Sequence, residues 1–453
     1  MLDELLAAWI GSQRWFGGKG RPIDSLSIES DVTIEAGDPG LRHLIVSVWQ
    51  EGSRERYQLL LGMRADLPDH LRHASIGRSG RYAFAGGPSR AAWEVYDAVH
   101  DTELTRWILE SMAAGTGLGE VRFRHLPGVE IDPSLRSMVL GAEQSNTSLV
   151  FGEAYICKLF RRLIPGVNPE LEIITALAER DAPNIARPYG WVETDLDGIP
   201  TTLAFMQEYL SNSTDGWDLA LTSVRDLYNS LPGVSAAEAG GDFAAEAGRL
   251  GAATARVHHE LAEAFPTGVV ERHEIKRMAE GMRRRLGHAV AEVPELRAHV
   301  GMLEAAYRRV EELTLAVPVQ RVHGDYHLGQ VMRTTSDWVV LDFEGEPGQP
   351  LAERRAPASP LRDVAGMLRS FDYAARHLQV GRPDADRLEA KAAQWARRSR
   401  TAFLDGYIEG GGQITAADEA LLHALELSKA VYEVVYEARN RPAWISIPLA
   451  AFG

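Results

Sequence analysis

One stretch constrains this chain more than any other: VHGDYHLGQ at residues 322–330, followed after a short gap by WVVLDFE at 338–344. It sets three oxygen-bearing side chains, Asp325, Gln330 and Asp342, on a loop and on the strand-like run that follows. Phosphoryl transfer depends mainly on positioning and charge neutralisation, so a few such groups carry much of its chemistry. A carboxylate at 325 suits an acceptor hydroxyl, whose proton it can take. An amide and a second carboxylate are oxygen ligands of the kind magnesium takes on nucleotide phosphates. The pattern therefore predicts Asp325 as the catalytic residue, Gln330 and Asp342 as metal ligands, and ATP and Mg2+ as what they act on. Glu344 is either a further oxygen near the metal or a strand-end carboxylate. The plain alternative is a buried polar turn with two capping aspartates.

Phosphate-binding groups are expected upstream. Lys158 lies in the strand-like run YICKLF, from which a lysine can reach nucleotide phosphates. Its partner is expected on the helix that follows Asn168 and Pro169. Asn168 is a natural N-cap and Pro169 suits the first helical position, so Glu170 is assigned to the helix terminus and Glu172 to the lysine. The polar turn Gln144, Ser145, Asn146, Thr147 and Ser148 offers hydroxyls, amides and backbone N–H groups that can cover phosphates without a glycine-rich loop, although most such turns are only turns. Gln207, Glu208 and Tyr209, at the end of the β-rich text, are placed to meet an adenine edge. The run GGKGR (17–21) lacks the GK[ST] ending and a preceding strand, and reads as a surface turn.

The acceptor side is expected near the same loop and on the C-terminal helix. His323 supports the loop and counts among the substrate-side candidates, while His327 reads as structural. Arg362 and Asp363 follow the DFE run, with Asp363 a sugar ligand or a helix cap. In KAVYEVVYEARNRPAW (429–444), Tyr432, Glu433, Tyr436, Glu437 and Arg439 fall within about two turns, with Trp444 beyond. Aromatic faces beside paired donors and acceptors suit a sugar ring. The bland alternative is an amphipathic helix with surface ion pairs.

The text up to about residue 90 reads as a small α+β unit: a helix from Leu2 to Trp9, then strand-like SLSIES, VTIEA, HLIVSVWQ and RYQLLLGM, with EGSRE a hairpin turn. RYAFAGGPSR (81–90) marks a boundary, and AAWEVYDAVHDTELTRWILESMA resumes as helix. A β-rich stretch runs to about residue 208, and from 209 to 453 the text is mainly helical. The expected domains are 1–90, 91–208 (nucleotide-binding) and 209–453 (catalytic and sugar-binding), an α+β, two-lobed arrangement.

The net charge of −15 argues against broad nucleic-acid binding or an anionic membrane partner. One cysteine, Cys157, precludes an intrachain disulfide and reads as a small core hydrophobe. The start of the chain lacks the pattern of a signal peptide, and no run approaches the roughly 20 apolar residues of a membrane span. A cytoplasmic protein is expected.

Longer strings carry a resemblance. QRWFGGKGR, EQSNTS, CKLFRR, VHGDYHLGQV, LDFEGEPGQPLAERRAPASPLRDVAGMLRS and KAVYEVVYEARNRPAW resemble bacterial maltokinases through nearly the whole chain. The resemblance implies a protein-kinase-like, aminoglycoside-phosphotransferase-like fold with an N-terminal cap subdomain. It implies phosphorylation of maltose at the anomeric hydroxyl, feeding α-glucan and glycogen synthesis, with functional links to trehalose synthase and a maltosyltransferase. It places Asp325 as catalytic, Gln330 and Asp342 on the metal, Lys158 on phosphate and Glu172 as its partner. Related phosphotransferases usually have Asn where this chain has Gln330. The rival readings are a phosphotransferase of the same fold acting on glucosamine or an aminoglycoside, and a non-catalytic nucleotide-binding protein.

Overall fold

The structure is a computed structural model that describes residues 2–79, 92–141, 145–314, 316–346 and 348–453. The expected boundary at 81–90 and the turn residue Gln144 lie outside the described residues. The chain divides into two compact units, one of residues 1–172 and 186–211, the other of residues 173–185 and 212–453.

The first unit opens with helix α1 (Leu2–Ile10) and strands β1 (Ser25–Glu35), β2 (Gly40–Gln50), β3 (Ser53–Arg64), β4 (Ser75–Ser79) and β5 (Trp93–Asp97). SLSIES and VTIEA are one strand, β1, with register shifts at 28/30 and 33/35. EGSRE makes the hairpin between β2 and β3, turning on Glu51 and Gly52, both at positive φ as a two-residue turn requires. WEVYD does not continue a helix. It is β5, between β3 and β4, because its buried side chains belong to a sheet. Helix α2 (Thr102–Ala114) starts only after Asp101, whose carboxylate caps the Glu103 N–H.

A second sheet follows: β6 (Gly117–Leu118), β7 (Val121–His125), β8 (Ser137–Leu140), β9 (Thr147–Phe151), β10 (Tyr155–Leu159), then β11 (Arg162–Leu163), helix α3 (Pro169–Ala178), β12 (Pro188–Leu196) and β13 (Ile199–Glu208). Its order is β6-β7-β12-β13-β10-β9-β8, while β11 pairs with β3 of the first sheet. One core serves both sheets, with Leu41, Leu60, Leu71 and Tyr96 packed in the same cluster as Leu149, Phe151, Cys157 and Met206. Burial pushes the Cys157 thiol up to about 12, as expected of a core cysteine.

The second unit is mainly helical. It contains β14 (Thr214–Asp215), α4 (Gly216–Asn229), α5 (Ala244–Ala264), β15 (Gly268–Val270), α6 (Arg272–Glu292), α7 (Val300–Glu311), β16 (Val317–Val319), β17 (Val331–Arg333), β18 (Trp338–Val340), α8 (Leu351–Arg354), α9 (Leu361–His377), α10 (Ala385–Glu409) and α11 (Ala416–Asn440). Strands β14, β17 and β18 make a small sheet. The segment after α3 is bound to it, since Asn184 Nδ2 donates to Trp338 O at 2.7 Å. The VHGDYHLGQ loop thus begins after β16 and ends on β17, with α9 packed behind it. Among the described residues no helix is long and apolar enough to cross a membrane.

Candidate active site

In the first unit, Lys158 stands on β10, and its ammonium lies 2.9 Å from Glu170 Oε2. The expected partner, Glu172, is corrected to Glu170. Asn168 Oδ1 accepts the Glu170 N–H at 2.8 Å, so the cap is made by Asn168 and the buried Glu170 carboxylate is left for the lysine. The phosphate-covering turn is smaller than expected. Thr147 and Ser148 are buried residues of β9 rather than turn residues, and Thr147 Oγ1 accepts from Arg161 Nε at 2.8 Å. Ser145 and Asn146 form the bend. The adenine-edge expectation also changes. Glu208 N donates to Arg187 O at 2.7 Å and Tyr209 N to Ala154 O at 2.9 Å, so sheet pairing has taken both donors. The Gln207 Oε1 is buried without a hydrogen-bond partner among the described residues.

In the second unit, the loop is held from behind. Asp363, in the first turn of α9 and 1% exposed, accepts from His323 N at 2.8 Å, Gly324 N at 2.9 Å and His258 Nε2 at 3.1 Å. Burial by itself would raise this carboxyl, but its bonds and charge contacts with His258, His323 and the Gly324 N–H hold it below the usual range. Gly324 sits at φ +87°, a conformation that favours glycine. The His323 ring donates from Nε2 to Leu341 O at 2.8 Å and accepts the Asp325 N–H at Nδ1, which selects one tautomer. His323 was expected to support the loop and was also counted on the substrate side, and Asp363 was expected to be a sugar ligand or a helix cap. Both are buried, and the hydrogen bonds of both side chains go to shaping the loop and to His258.

Asp325 is brought to the surface by this loop, and Lys429 Nζ of α11 lies 3.5 Å from its Oδ1. On the other arm, Gln330 Nε2 donates to Asp342 Oδ2 at 2.9 Å. Asp342 has φ +63°, a left-handed conformation that Asp tolerates better than most side chains and that re-aims its carboxylate after β18. His327 stands between the two arms. Burial pushes its imidazole below the ordinary range, opposed by Asp325 and Asp342 and reinforced by His323 and Lys429. As a structural residue it accepts the Gly329 N–H at Nδ1, 3.1 Å away. The oxygens of Gln330, Asp342 and Glu344 are hard donors suited to magnesium.

The C-terminal helix is brought to the same neighbourhood only in part. Tyr432 reaches Glu346, and burial beside the Glu346 and Asp325 carboxylates pushes its phenol up to about 12. Arg362 holds Glu346 at 3.2 Å. Tyr432 and Tyr436 stack with centroids 6.4 Å apart and are both exposed. The other expected contacts are corrected. Glu433 is taken by the buried Arg369, with bonds of 3.0 and 2.8 Å, because that guanidinium has lost its water and needs a carboxylate. Arg439 pairs with Glu292 at the end of α6, which uses its charge elsewhere. Trp444 packs on His377 and under Arg441, not beside Asp325. Glu437 is buried and bound by Tyr373 and Arg441.

Sequence reasoning missed three residues here. Lys429 lies 104 positions from Asp325, a separation that no local spacing rule bridges. Glu346 was legible only as part of a Pro- and Gly-rich loop. His258 read as one more residue on an amphipathic helix.

A loop held by a helix-borne carboxylate, an aspartate at its tip and an amide–carboxylate pair after it define a class, the kinase-like phosphotransferases. Residues 138–403 match the phosphotransferase enzyme family, and residues 9–101 match the maltokinase N-terminal cap domain. The chain belongs to the phosphotransferase enzyme family, with the two-lobed α+β fold and N-terminal cap expected, and it is an enzyme that acts on a hydroxyl-bearing small molecule. Among curated relatives it is 32% identical over 318 residues to a glucosamine kinase of Streptacidiphilus jiangxiensis, covering 68% of this chain and 70% of that protein. It is likewise 32% identical to a glucosamine kinase of Mycolicibacterium smegmatis, covering 77% of that protein. A solved glucosamine kinase in complex with glucosamine, ADP and inorganic phosphate shares the fold, with a TM-score of 0.69, 24% identity and coverage of 99% of this chain and 97% of that one.

These relatives overturn the expectation of a maltokinase. Maltose as substrate, maltose 1-phosphate as product, the glycogen role and the links to trehalose synthase and a maltosyltransferase are withdrawn with it. The match to the cap domain covers residues 9–101 and does not include the loop that carries Asp325. The exposed tyrosines were read as faces that suit a sugar ring, and such faces do not distinguish one pyranose from another.

Proposed function

We propose that the protein transfers the γ-phosphoryl group of ATP to a hydroxyl of an amino sugar of the glucosamine class. The observation that carries this reading is the placing of Asp325 at the tip of a loop fastened by Asp363, together with relatives that are glucosamine kinases over two thirds of the chain. Asp325 receives the acceptor proton as the hydroxyl oxygen bonds to phosphorus and the bridging oxygen leaves with ADP. Gln330, Asp342 and Glu344 are the residues that would hold magnesium. That ion supplies neutralisation of phosphate charge. Lys158, steadied by Glu170, is assigned to the phosphates, and Ser145 and Asn146 to their cover. Glu346, beside Tyr432, gives the acceptor side a carboxylate that an ammonium-bearing sugar favours over a neutral one.

A coupled assay of ADP release over glucosamine, N-acetylglucosamine, glucose, maltose and kanamycin tests the reading. Glucosamine should give the highest kcat/KM, with phosphate found on one of its hydroxyls. Asp325→Asn should lower its kcat about 10²–10⁴-fold while nucleotide binding persists. Turnover in that variant within a few-fold of the wild type, or no turnover of glucosamine by the wild type, would sink it.

A further inference from the structure

A carboxylate that serves as proton acceptor for an amino sugar faces a selectivity problem. It attracts the ammonium of the acceptor more strongly than the hydroxyl, because the former carries a full charge. Bound that way round, the sugar occupies the site and cannot react. Something beside Asp325 must favour the hydroxyl.

Lys429 has the required place. Its ammonium lies 3.5 Å from Asp325 Oδ1, with both side chains partly buried, at 32% and 25% exposure. It also stands 5.6 Å from the centroid of the Tyr432 ring. The pairing is not a default of helix geometry. On α11 a lysine at 429 has carboxylates at three- and four-residue steps, Glu426 and Glu433, which would ordinarily pair with it along the helix. Both are occupied by arginines from other helices: Arg400 Nη2 lies 2.7 Å from Glu426 and Arg369 Nη2 lies 2.8 Å from Glu433. The ammonium is thereby directed across to the loop. The charged and titratable groups around it are Asp325, His327 and Tyr432, with Glu346 beyond the tyrosine.

We infer that Lys429 is a specificity-determining residue that makes Asp325 selective for hydroxyl over ammonium, so that an amino sugar is bound with its amine turned away from the phosphoryl-transfer point. The inference rests on the amino-sugar reading and deepens it. A fixed positive charge repels a second one a few ångströms away and leaves a neutral hydroxyl almost unaffected. No covalent role is assigned to the lysine.

Misoriented binding has a kinetic signature, since it lowers kcat and KM by the same factor and leaves kcat/KM in place. In Lys429→Met, kcat and KM for glucosamine should fall together by about tenfold relative to the same constants for glucose, which differs in bearing a hydroxyl in place of the amine. Lys429→Arg should keep the wild-type ratio between the two sugars. Equal proportional changes for glucosamine and glucose would overturn the inference and leave Lys429 as a residue that only orients Asp325. The amino-sugar reading fails separately, if wild-type enzyme does not phosphorylate glucosamine. Glucosamine then becomes an inhibitor competing with whatever sugar is turned over. Tighter inhibition of Lys429→Met than of wild type would still support the lysine's role, and unchanged inhibition would end it.

Discussion

A carboxylate enclosed in protein keeps its charge only where donors replace the water it has lost. Asp363 has three: the His323 and Gly324 N–H groups and His258 Nε2. Its pKa is held below the ordinary 3.8, so it binds fewer protons folded than unfolded. The stability this contributes is present in full above pH 3.8 and is lost as the pH falls through the folded value. Asp363→Asn should destabilise the fold by about 3 kcal/mol at pH 7, since an amide cannot accept all three bonds. The deficit should shrink as unfolding titrations are carried below pH 3.8 and through the lower folded value, beyond which the wild-type group is neutral too. A deficit that stays constant into acid would show that the charge of Asp363 is not what fastens the loop. The same residue illustrates what residue-level reading can supply. Its position after DFE marked it, and the choice between sugar ligand and cap needed the loop folded onto it. The Lys158 partner was decided the same way, by a side chain that capped the helix and released Glu170.

At the scale of elements, α9 bears on the catalytic loop through Gly366. A Cβ built there would lie 2.5 Å from Tyr326 O, a contact that no ordinary side chain tolerates. In a solvent-facing helix, Gly→Ala gains about 1 kcal/mol. Here overpacking of 1–3 kcal/mol, typical of an added methyl in a packed site, should outweigh that gain. Gly366→Ala is therefore expected to melt at a lower temperature and to lose turnover, because the helix that carries Asp363 is pushed from the loop that carries Asp325. A rise in melting temperature with full activity would show slack between the two. The elements themselves were largely legible where periodicity was clear: the hairpin at Glu51 and Gly52, the strands of the second sheet and helices α5 and α11. WEVYD was not, because a short apolar run beside a helix carries no period of its own, and pairing with β3 and β4 decides it.

For the whole chain, the sequence announced its chemistry in one loop but could not show how its first hundred residues are bound to the rest of their unit. That binding is made of long-range contacts. β11 pairs with β3, through Arg162 with Tyr57 and Leu163 with Arg56. Gln58 Nε2 donates to Phe160 O and Leu203 O, tying the first sheet to the second. Arg161, 1% exposed, reaches Asp97 Oδ2 at 2.7 Å and Thr147 Oγ1 at 2.8 Å, and lies 5.0 Å from the Trp15 ring. Deleting residues 1–101 would remove Asp97 and Trp15 and strand a buried guanidinium, a change of about 3–5 kcal/mol from the lost ion pair alone. It would also strip Leu41, Leu60, Leu71 and Tyr96 from the core shared with β9, β10 and β13. With ordinary domains stable by only about 5–15 kcal/mol, the second sheet should not survive the loss. The truncated chain is expected to be cleaved rapidly within residues 117–208 by a protease that leaves the full chain intact, and to lose the ability to bind nucleotide. If it resists the protease and binds nucleotide as the full chain does, the cap is an appendage, and the shared core is not what holds the second sheet together.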